Sequence, residues 1–240
     1  MADALDEAFD DPAERRAYEE FVAAQERGAE PFDLDRPALV CRWRMAGKHV
    51  PLLNRHIRAL SQRRVMGAPL THNMLSWAKQ HVEWSLAEGD FSARDGVLML
   101  VVDVNGNAAM SVGEYEPLAD ATLPGLVTRA EEARREAAQT GVAPEALCAV
   151  RDGSLIIGDA GEDHECGALT LIDQLAATRG LTVGHEALDE LTRIVGAGGT
   201  HPFLVSDEHG VVPADGADVG DDPFVTLAIA GYAKLMDAAR

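Results

Sequence analysis

The sequence predicts a mixed α/β (α+β) fold made of two halves, and three observations carry this prediction. Short apolar runs typical of β-strands alternate with longer stretches whose apolar residues recur at helical spacing. Of the 240 residues, 47% are hydrophobic and 25% are charged, which is ordinary for a globular protein. Residues 117–125 resemble a linker, so we expect an acidic segment at 1–36 and domains at 37–118 and 119–240.

The first half is predicted to contain an acidic helix, a strand, two further helices and a β-hairpin. The acidic helix covers roughly residues 12–27, and the strand covers Ala38–Arg44. Helical spacing of leucine and isoleucine predicts helices over Asn54–Arg64 and from Met74 to just before Gly89. The dipeptide Asn105–Gly106 lies between two apolar runs and predicts a hairpin, because both turn positions need φ > 0.

The second half is predicted to alternate helices and short strands. Pro124 suits the first turn of a helix that runs to Gly141, and Asp222 followed by Pro223 suits the start of the closing helix. The remaining predicted elements are strands at Leu147–Val150 and Leu155–Ile157, a helix at Leu169–Thr178, an αβ passage from Val183, and paired strands at Phe203–Val205 and Val211–Val212.

Composition excludes several classes of partner and compartment. The formal net charge of −19 and a pI near 4.7 argue against nucleic acids and anionic membranes, which bind basic faces. No apolar run approaches the roughly 20 residues of a transmembrane helix. The amino terminus is acidic, unlike a signal peptide, and the three cysteines form no CxxC pair. We therefore expect a reduced, cytoplasmic protein.

Charge is distributed unevenly along the chain. Residues 1–36 carry a net charge of −8, residues 37–94 carry +6, and the remainder carries −17. The basic stretch is explained either by solvated helix faces or by an anion site built from a few of its arginines.

Motifs that carry chemistry are scarce. The sequence has no phosphate-binding GxxxxGK[ST] loop, no GxSxG nucleophile elbow and no repeated close pairs of metal ligands. Residues Gly196–Thr200 are glycine-rich and end in a hydroxyl, so they are either an oxyanion cradle or a flexible turn. We predict no catalytic residue and no metal site.

The order of these elements resembles a known family, the class IV aminotransferases, which include branched-chain and D-amino-acid aminotransferases and aminodeoxychorismate lyases. Residues 39–118 are similar to the amino-terminal half of these enzymes, and the second half is similar to a lesser degree. The segments that carry the resemblance are Val40–Arg44, Gly47–Lys48, Asn54–Ser61, the hairpin Gly96–Glu116, Val150–Leu155, Gly198–Thr200 and Gly220–Leu235.

The resemblance implies a two-domain class IV aminotransferase-like fold, a homodimer, and pyridoxal phosphate between the two domains. Arg44 matches the arginine that holds the phosphate of this cofactor, and Thr200, preceded by Gly199, matches the threonine that holds it. A guanidinium and a glycine-flanked hydroxyl suit a phosphate dianion.

Departures from the family are as informative as the resemblance. Pyridoxal chemistry needs a lysine amine for the imine, and the matching linker, Thr122–Thr128, has none. The three lysines are Lys48, Lys79 and Lys234, and none is a natural substitute. Residues Cys166–Leu169 stand in place of the family's Gly-Ile-Thr-Arg loop, so a second phosphate-binding threonine is missing.

Three hypotheses remain open. The first is a class IV-like protein without normal transaminase activity that binds a phosphorylated or anionic small molecule between its halves. The second is an active pyridoxal-phosphate aminotransferase or lyase acting on amino acids, with one of the three lysines catalytic. The third is an acidic, homodimeric interaction module.

Overall fold

A computed structural model describes residues 12–13, 15–16, 18–20, 23, 32–65, 67–89, 91, 95–104, 107–142, 145–159, 165–216 and 222–240. The strands are β1 (Pro37–Met45), β2 (Arg64–Val65), β3 (Ala68–Pro69), β4 (Gly96–Asp103), β5 (Ala108–Glu114), β6 (Ala146–Arg151), β7 (Ser154–Ile157), β8 (Thr182–His185), β9 (His201–Ser206) and β10 (Gly210–Pro213). The helices are α1 (Leu53–Leu60), α2 (His72–Glu88), α3 (Leu123–Thr140), α4 (Gly167–Arg179), α5 (Leu188–Gly196) and α6 (Pro223–Ala239). This order confirms the mixed α/β prediction.

The first sheet has the strand order β1-β4-β5, and all of its pairs are antiparallel. Alternate residues of β1, including Leu39 and Trp43, face the same apolar cluster as Leu98 and Leu100 of β4, and residues of α1 and α2 complete this cluster. Burial of this face joins the two helices to the sheet and forms the core of the first half.

The second sheet has the order β10-β9-β6-β7-β8 and is antiparallel except for the β7–β8 pair. Residues Ala146–Val150 of β6 are all buried, because helices cover both faces of the sheet. Cys148 and Val150 pack against α4 and α6, whereas Leu147 and Ala149 pack against α3 and α5. The continuous apolar run in the sequence reflects this burial on two faces.

One predicted helix end was wrong. The sequence predicted that α1 would extend to Arg64, but it ends at Leu60, and β2 pairs with β3 instead. Gly67 has φ +79°, a conformation that L-residues rarely adopt, and it lies in the reversal between the two short strands. The hairpin formed by β4 and β5 is confirmed by its register, although Asn105–Gly106 lie outside the described residues.

The acidic amino-terminal segment contacts the rest of the chain. Its described residues between 12 and 23 are helical, and Tyr18 donates a hydrogen bond to Oε1 of Gln80 on α2 at 2.8 Å. Tyr18 is buried, and Phe32 packs against the outer face of the first sheet. Among the residues described, no helix is both long and apolar enough to cross a membrane. The domain boundaries stay a prediction.

Candidate functional site

The candidate site lies at the junction where β1 and α1 of the first half meet the β9–β10 turn and the start of β6. The free cavity at this junction has a volume of about 30 Å³, enough for one or two water molecules. Side chains from both halves fill the rest. The lining residues are Leu39, Cys41, Arg42, Trp43, His56, Ala59, Leu60, Arg63, Gly141, Val142, Glu145, Ser206, Asp207 and Glu208.

Asp207 is the central residue of the junction. Its Oδ1 accepts a hydrogen bond from the amide of Ala168 at 2.7 Å, and its Oδ2 accepts one from the amide of Gly167 at 3.2 Å. Its carbonyl oxygen accepts a third from the amide of Arg44 on β1 at 2.8 Å. One residue thereby connects the end of β9 to the amino terminus of α4 and to the first sheet.

Two buried basic side chains lie close to the Asp207 carboxylate. Nδ1 of His56 is 3.2 Å from Oδ2 of Asp207, and the imidazole stacks on Trp43 with a centroid separation of 5.2 Å. Arg63 is also buried, and it donates a hydrogen bond to the carbonyl of Gly141 at 2.8 Å.

The Asp207 carboxyl group is held in its ionised form. Burial raises its pKa, but His56 and the amides of Gly167 and Ala168 outweigh this effect, so the pKa lies below its ordinary value. Burial lowers the pKa of Arg63, while the charge of Asp207 favours the protonated guanidinium. The carboxylate is therefore surrounded by groups that stabilise its negative charge.

Two salt bridges join elements beside this cluster. Arg42 on β1 binds Glu136 on α3 through two hydrogen bonds, at 3.0 and 2.5 Å. Arg129 on α3 binds the buried Glu145 through two more, at 3.1 and 2.5 Å. Paired charges of this kind are satisfied internally, so neither arginine is free for a ligand.

Arg44 lies on the side of β1 away from Trp43. Its guanidinium carbon is 3.3 Å from the centroid of the Tyr115 ring, a cation–π contact. Nη1 of Arg44 is buried and has no hydrogen-bond partner among the described residues, and burial lowers the pKa of the guanidinium.

Thr200 and Gly199 lie elsewhere. Gly199 (φ +71°) and Thr200 immediately precede β9, and β9 pairs its first residue, His201, with Val150. Arg44 contacts Asp207, which follows the last residue of β9. An extended strand rises about 3.3 Å per residue, so roughly 20 Å separates Thr200 from Asp207. The structure does not bring Arg44 and Thr200 together, because Thr200 lies at the start of β9 and Arg44 contacts the residue that follows its end.

Other groups at the junction have limited chemical use. Glu145, Glu208 and His209 offer ligand atoms within 4.8 Å of one another, but Arg129 already binds both oxygens of Glu145. Burial raises the pKa of Cys41 to about 12, so this thiol is not a thiolate nucleophile near neutral pH.

The junction does not fit pyridoxal phosphate. None of the three lysines, all within the described residues, lines it. The amides of residues 167 and 168, in the loop that the resemblance assigns to the phosphate, bind a carboxylate instead. A cavity of about 30 Å³ is also far below the 300–1,000 Å³ of typical small-molecule sites.

Asp207, His56 and Arg63 were not predicted as site residues. Asp207 belongs to an Asp-Glu-His-Gly turn, which the sequence identifies only as a turn between two strands. Its amide partners are 39 and 40 residues away. The sequence offered one signal. The cap position of α4 is Cys166 and not Ser, Thr, Asp or Asn, so the first amides of this helix need a hydrogen-bond acceptor from another part of the chain.

Comparison with known proteins places the fold. Neither protein-family models nor curated proteins match the sequence. A hypothetical aminotransferase from Mycobacterium tuberculosis in its apo form matches with a TM-score of 0.56 and 16% identity, over 88% of this chain and 94% of that one. A proposed 4-amino-4-deoxychorismate lyase from Legionella pneumophila matches with a TM-score of 0.57 and 13% identity, over 88% and 97%. A fold IV transaminase from Curtobacterium pusillum matches with a TM-score of 0.50 and 14% identity, over 89% and 91%. The chain therefore has the fold of the class IV aminotransferases.

Proposed function

We propose that this chain is a protein of the class IV aminotransferase fold that does not carry out transaminase or lyase chemistry. The observation that carries the proposal is the position of its lysines. A pyridoxal-dependent enzyme must form an imine through a lysine amine that reaches the cofactor. The resemblance places the cofactor between the two halves, and a lysine outside the junction does not reach it there.

Each of the three lysines lies outside the junction. Nζ of Lys48 donates a hydrogen bond to the carbonyl of Gly89 at 2.9 Å, which ties the turn after β1 to the end of α2. Nζ of Lys79 is 3.9 Å from Glu83 on the exposed surface of α2. Lys234 is exposed on α6. The linker segment Thr122–Thr128 forms the start of α3 without a lysine.

The side chains of the junction support the same proposal. The Arg42–Glu136 and Arg129–Glu145 salt bridges join the first sheet to α3 and α3 to the start of β6. Arginines that are paired inside the chain are not free to hold an anionic cofactor. The proposal does not include a shared Arg44–Thr200 phosphate site, because β9 separates these residues.

The function that we assign to such a protein is the binding of a partner. A net charge of −19 favours partners with basic surfaces and disfavours nucleic acids. The net charge therefore favours the third hypothesis, an acidic interaction module. A homodimer remains a proposal from the resemblance.

The test is reconstitution with pyridoxal phosphate. An imine between the cofactor and a lysine absorbs at about 410–430 nm, and borohydride reduction fixes it to the protein. We expect no stoichiometric absorbance in this range and no reduced adduct by intact mass spectrometry. The proposal is wrong if one adduct per chain forms and a single Lys→Arg change, at Lys48, Lys79 or Lys234, abolishes it. If all three lysines form adducts, and each Lys→Arg change removes only the adduct at its own position, the cofactor has modified surface lysines. This result supports the proposal.

A further inference from the structure

The start of α4 has the features of an anion-binding site. This helix spans 13 residues, and its amino-terminal cap is Cys166, whose Sγ accepts a hydrogen bond from the amide of Leu169 at 3.4 Å. The amides of Gly167 and Ala168 belong to the first turn and have no acceptor within the helix. The positive end of the helix dipole adds to the attraction for a negative charge.

The acceptor comes from a distant part of the chain. Each oxygen of the Asp207 carboxylate binds one of these two amides, at 3.2 and 2.7 Å. The side chain of Asp207 is only 9% exposed. A buried carboxylate that bridges two consecutive amides holds its charge in the way that backbone nests hold a free oxyanion.

His56 supplies a second, independent indication of an anion site. Its side chain is 3% exposed, and its Nδ1 lies 3.2 Å from Oδ2 of Asp207 but makes no hydrogen bond of good geometry among the described residues. A Cβ atom on Gly167 would lie 2.4 Å from this nitrogen, so the imidazole packs directly against Gly167. Arg63 adds a buried positive charge nearby. Asp222 caps α6 through one carboxylate oxygen alone. At the start of α4 both oxygens of Asp207 accept amide hydrogen bonds, and an imidazole lies beside them.

We propose that Asp207 is a built-in anion: its carboxylate occupies an oxyanion-binding site formed by the first amides of α4 and by His56. The site has the chemistry for a tetrahedral oxyanion such as phosphate, and Asp207 keeps such ligands out. Removing this side chain opens the site, and the cavity of about 30 Å³ that borders Asp207 adds room for the larger anion. This inference goes beyond the proposed lack of imine chemistry, since it concerns the binding of an oxyanion and involves no lysine.

The test compares the wild-type chain with Asp207→Gly, using inorganic phosphate as the probe. Thermal unfolding is followed in phosphate and in sodium chloride of equal ionic strength, and Asp35→Gly, a change at an exposed turn position, is the matched control. We expect no phosphate-specific shift in Tm for the wild type or the control. For Asp207→Gly we expect a saturable rise of about 5–10 °C when phosphate reaches 100 times its dissociation constant.

Two results would overturn the inference. One is an equal phosphate-specific rise in Tm for the wild type, and the other is a folded Asp207→Gly variant that phosphate does not stabilise. If Asp207→Gly is unfolded without phosphate, recovery of its circular dichroism signal in phosphate supports the inference.

A second variant covers the case in which Asp207→Gly stays unfolded with and without phosphate. Asp207→Asn keeps the shape of the side chain and removes its charge, so the amide proton resonance of Ala168 should move upfield. An unchanged resonance in folded Asp207→Asn would then overturn the inference. These outcomes are separate from the lysine test, because the chain can form no imine and still respond to phosphate, or the reverse.

Discussion

Both ends of β9 are turns, but only the turn before the strand has a sequence motif for an anion site, and the folded chain reverses this order. Before the strand, Gly198, Gly199 and Thr200 form a glycine-rich turn with positive φ at both glycines, and nothing lies within 4 Å of a Cβ added to either. After the strand, Asp207 is buried against the start of α4 and beside His56. The end with the recognisable motif is open, whereas the end without one holds the convergent polar groups.

This difference shows that a glycine-rich turn provides conformational freedom but not a binding site. An anion site needs amides whose directions are fixed and a surrounding that excludes water. α4 fixes the amides of Gly167 and Ala168, and both residues are buried away from bulk water. Four substitutions and one pH measurement test the contrast between the two ends of β9.

Loss of the Asp207 side chain should have the largest effect. Asp207→Ala leaves two helix amides, His56 and Arg63 without their buried counter-charge, and removing one partner of a buried ionic cluster costs about 3–5 kcal/mol. Urea unfolding measures the change in free energy. Asp35→Ala, at an exposed position, should change it by less than about 0.5 kcal/mol. Equal effects at the two positions would contradict the role given to Asp207.

The same carboxyl group should contribute to acid unfolding. Its pKa is lower in the folded chain than its unfolded value of about 3.9, so its stabilising effect is fully present above that value. The effect is lost as the pH falls through the lower, folded pKa. The free energy of unfolding of the wild type should therefore fall more steeply below about pH 4 than that of Asp207→Asn. Parallel curves for the two proteins would show that the carboxylate is not stabilised.

Gly167→Ala should have the next largest effect. The new Cβ would lie 2.4 Å from Nδ1 of His56 and 3.0 Å from its backbone nitrogen, and overpacking of this kind costs roughly 1–3 kcal/mol. Gly196→Ala is the matched control, because this glycine is the last residue of α5 and has open space around it. The control should be neutral or stabilising by up to about 1 kcal/mol. Differential calorimetry distinguishes the two.

Gly199→Ala should destabilise the open end of β9 by about 1 kcal/mol. The cause is conformational strain alone, since φ is +71° and a Cβ meets nothing within 4 Å. Thermal unfolding measures the loss. If phosphate stabilises the wild type but not Gly199→Ala, the turn is a phosphate site after all and the contrast between the two ends of β9 is incorrect.

Thr200→Val should have the smallest effect, within about 0.5 kcal/mol of the wild type. Oγ1 of Thr200 is buried and has no hydrogen-bond partner among the described residues, so a methyl group of the same size removes no interaction. Urea unfolding with Thr200→Ser as the control checks this result. A loss above about 1 kcal/mol for Val but not for Ser would reveal a hydrogen bond through the hydroxyl.

Local patterns predicted the elements well where neighbouring residues control the backbone. Asp222 accepts hydrogen bonds from the amides of Phe224 and Val225 at the start of α6, as its position before Pro223 predicts. Two apolar runs predicted the β4–β5 hairpin. The end of α1 was misplaced, because the pairing of Arg64–Val65 with Ala68–Pro69 competes with further helix there. The helical spacing of apolar residues contains no information on this pairing of strands.

The candidate site was less predictable than the fold. The match of Arg44 and Thr200 to phosphate-binding residues rested on short motifs, and it contained no information on the direction of β9. The position of Asp207 depends on a hydrogen-bond partner about 40 residues away. Only the packing of α4 against the end of β9, within the second half, makes that contact, so no local pattern indicates it.

The sequence by itself determined the mixed α/β class, the order of most elements, the net negative charge and the scarcity of lysine. These properties depend on composition and on residues close together in the chain. Tertiary structure alone decided where the lysines lie, that Arg44 and Thr200 are apart, and that Asp207 binds the start of α4. The reason is physical: buried charges and helix amides must be satisfied, and the partner that satisfies them is whichever group the folded chain brings within about 3 Å.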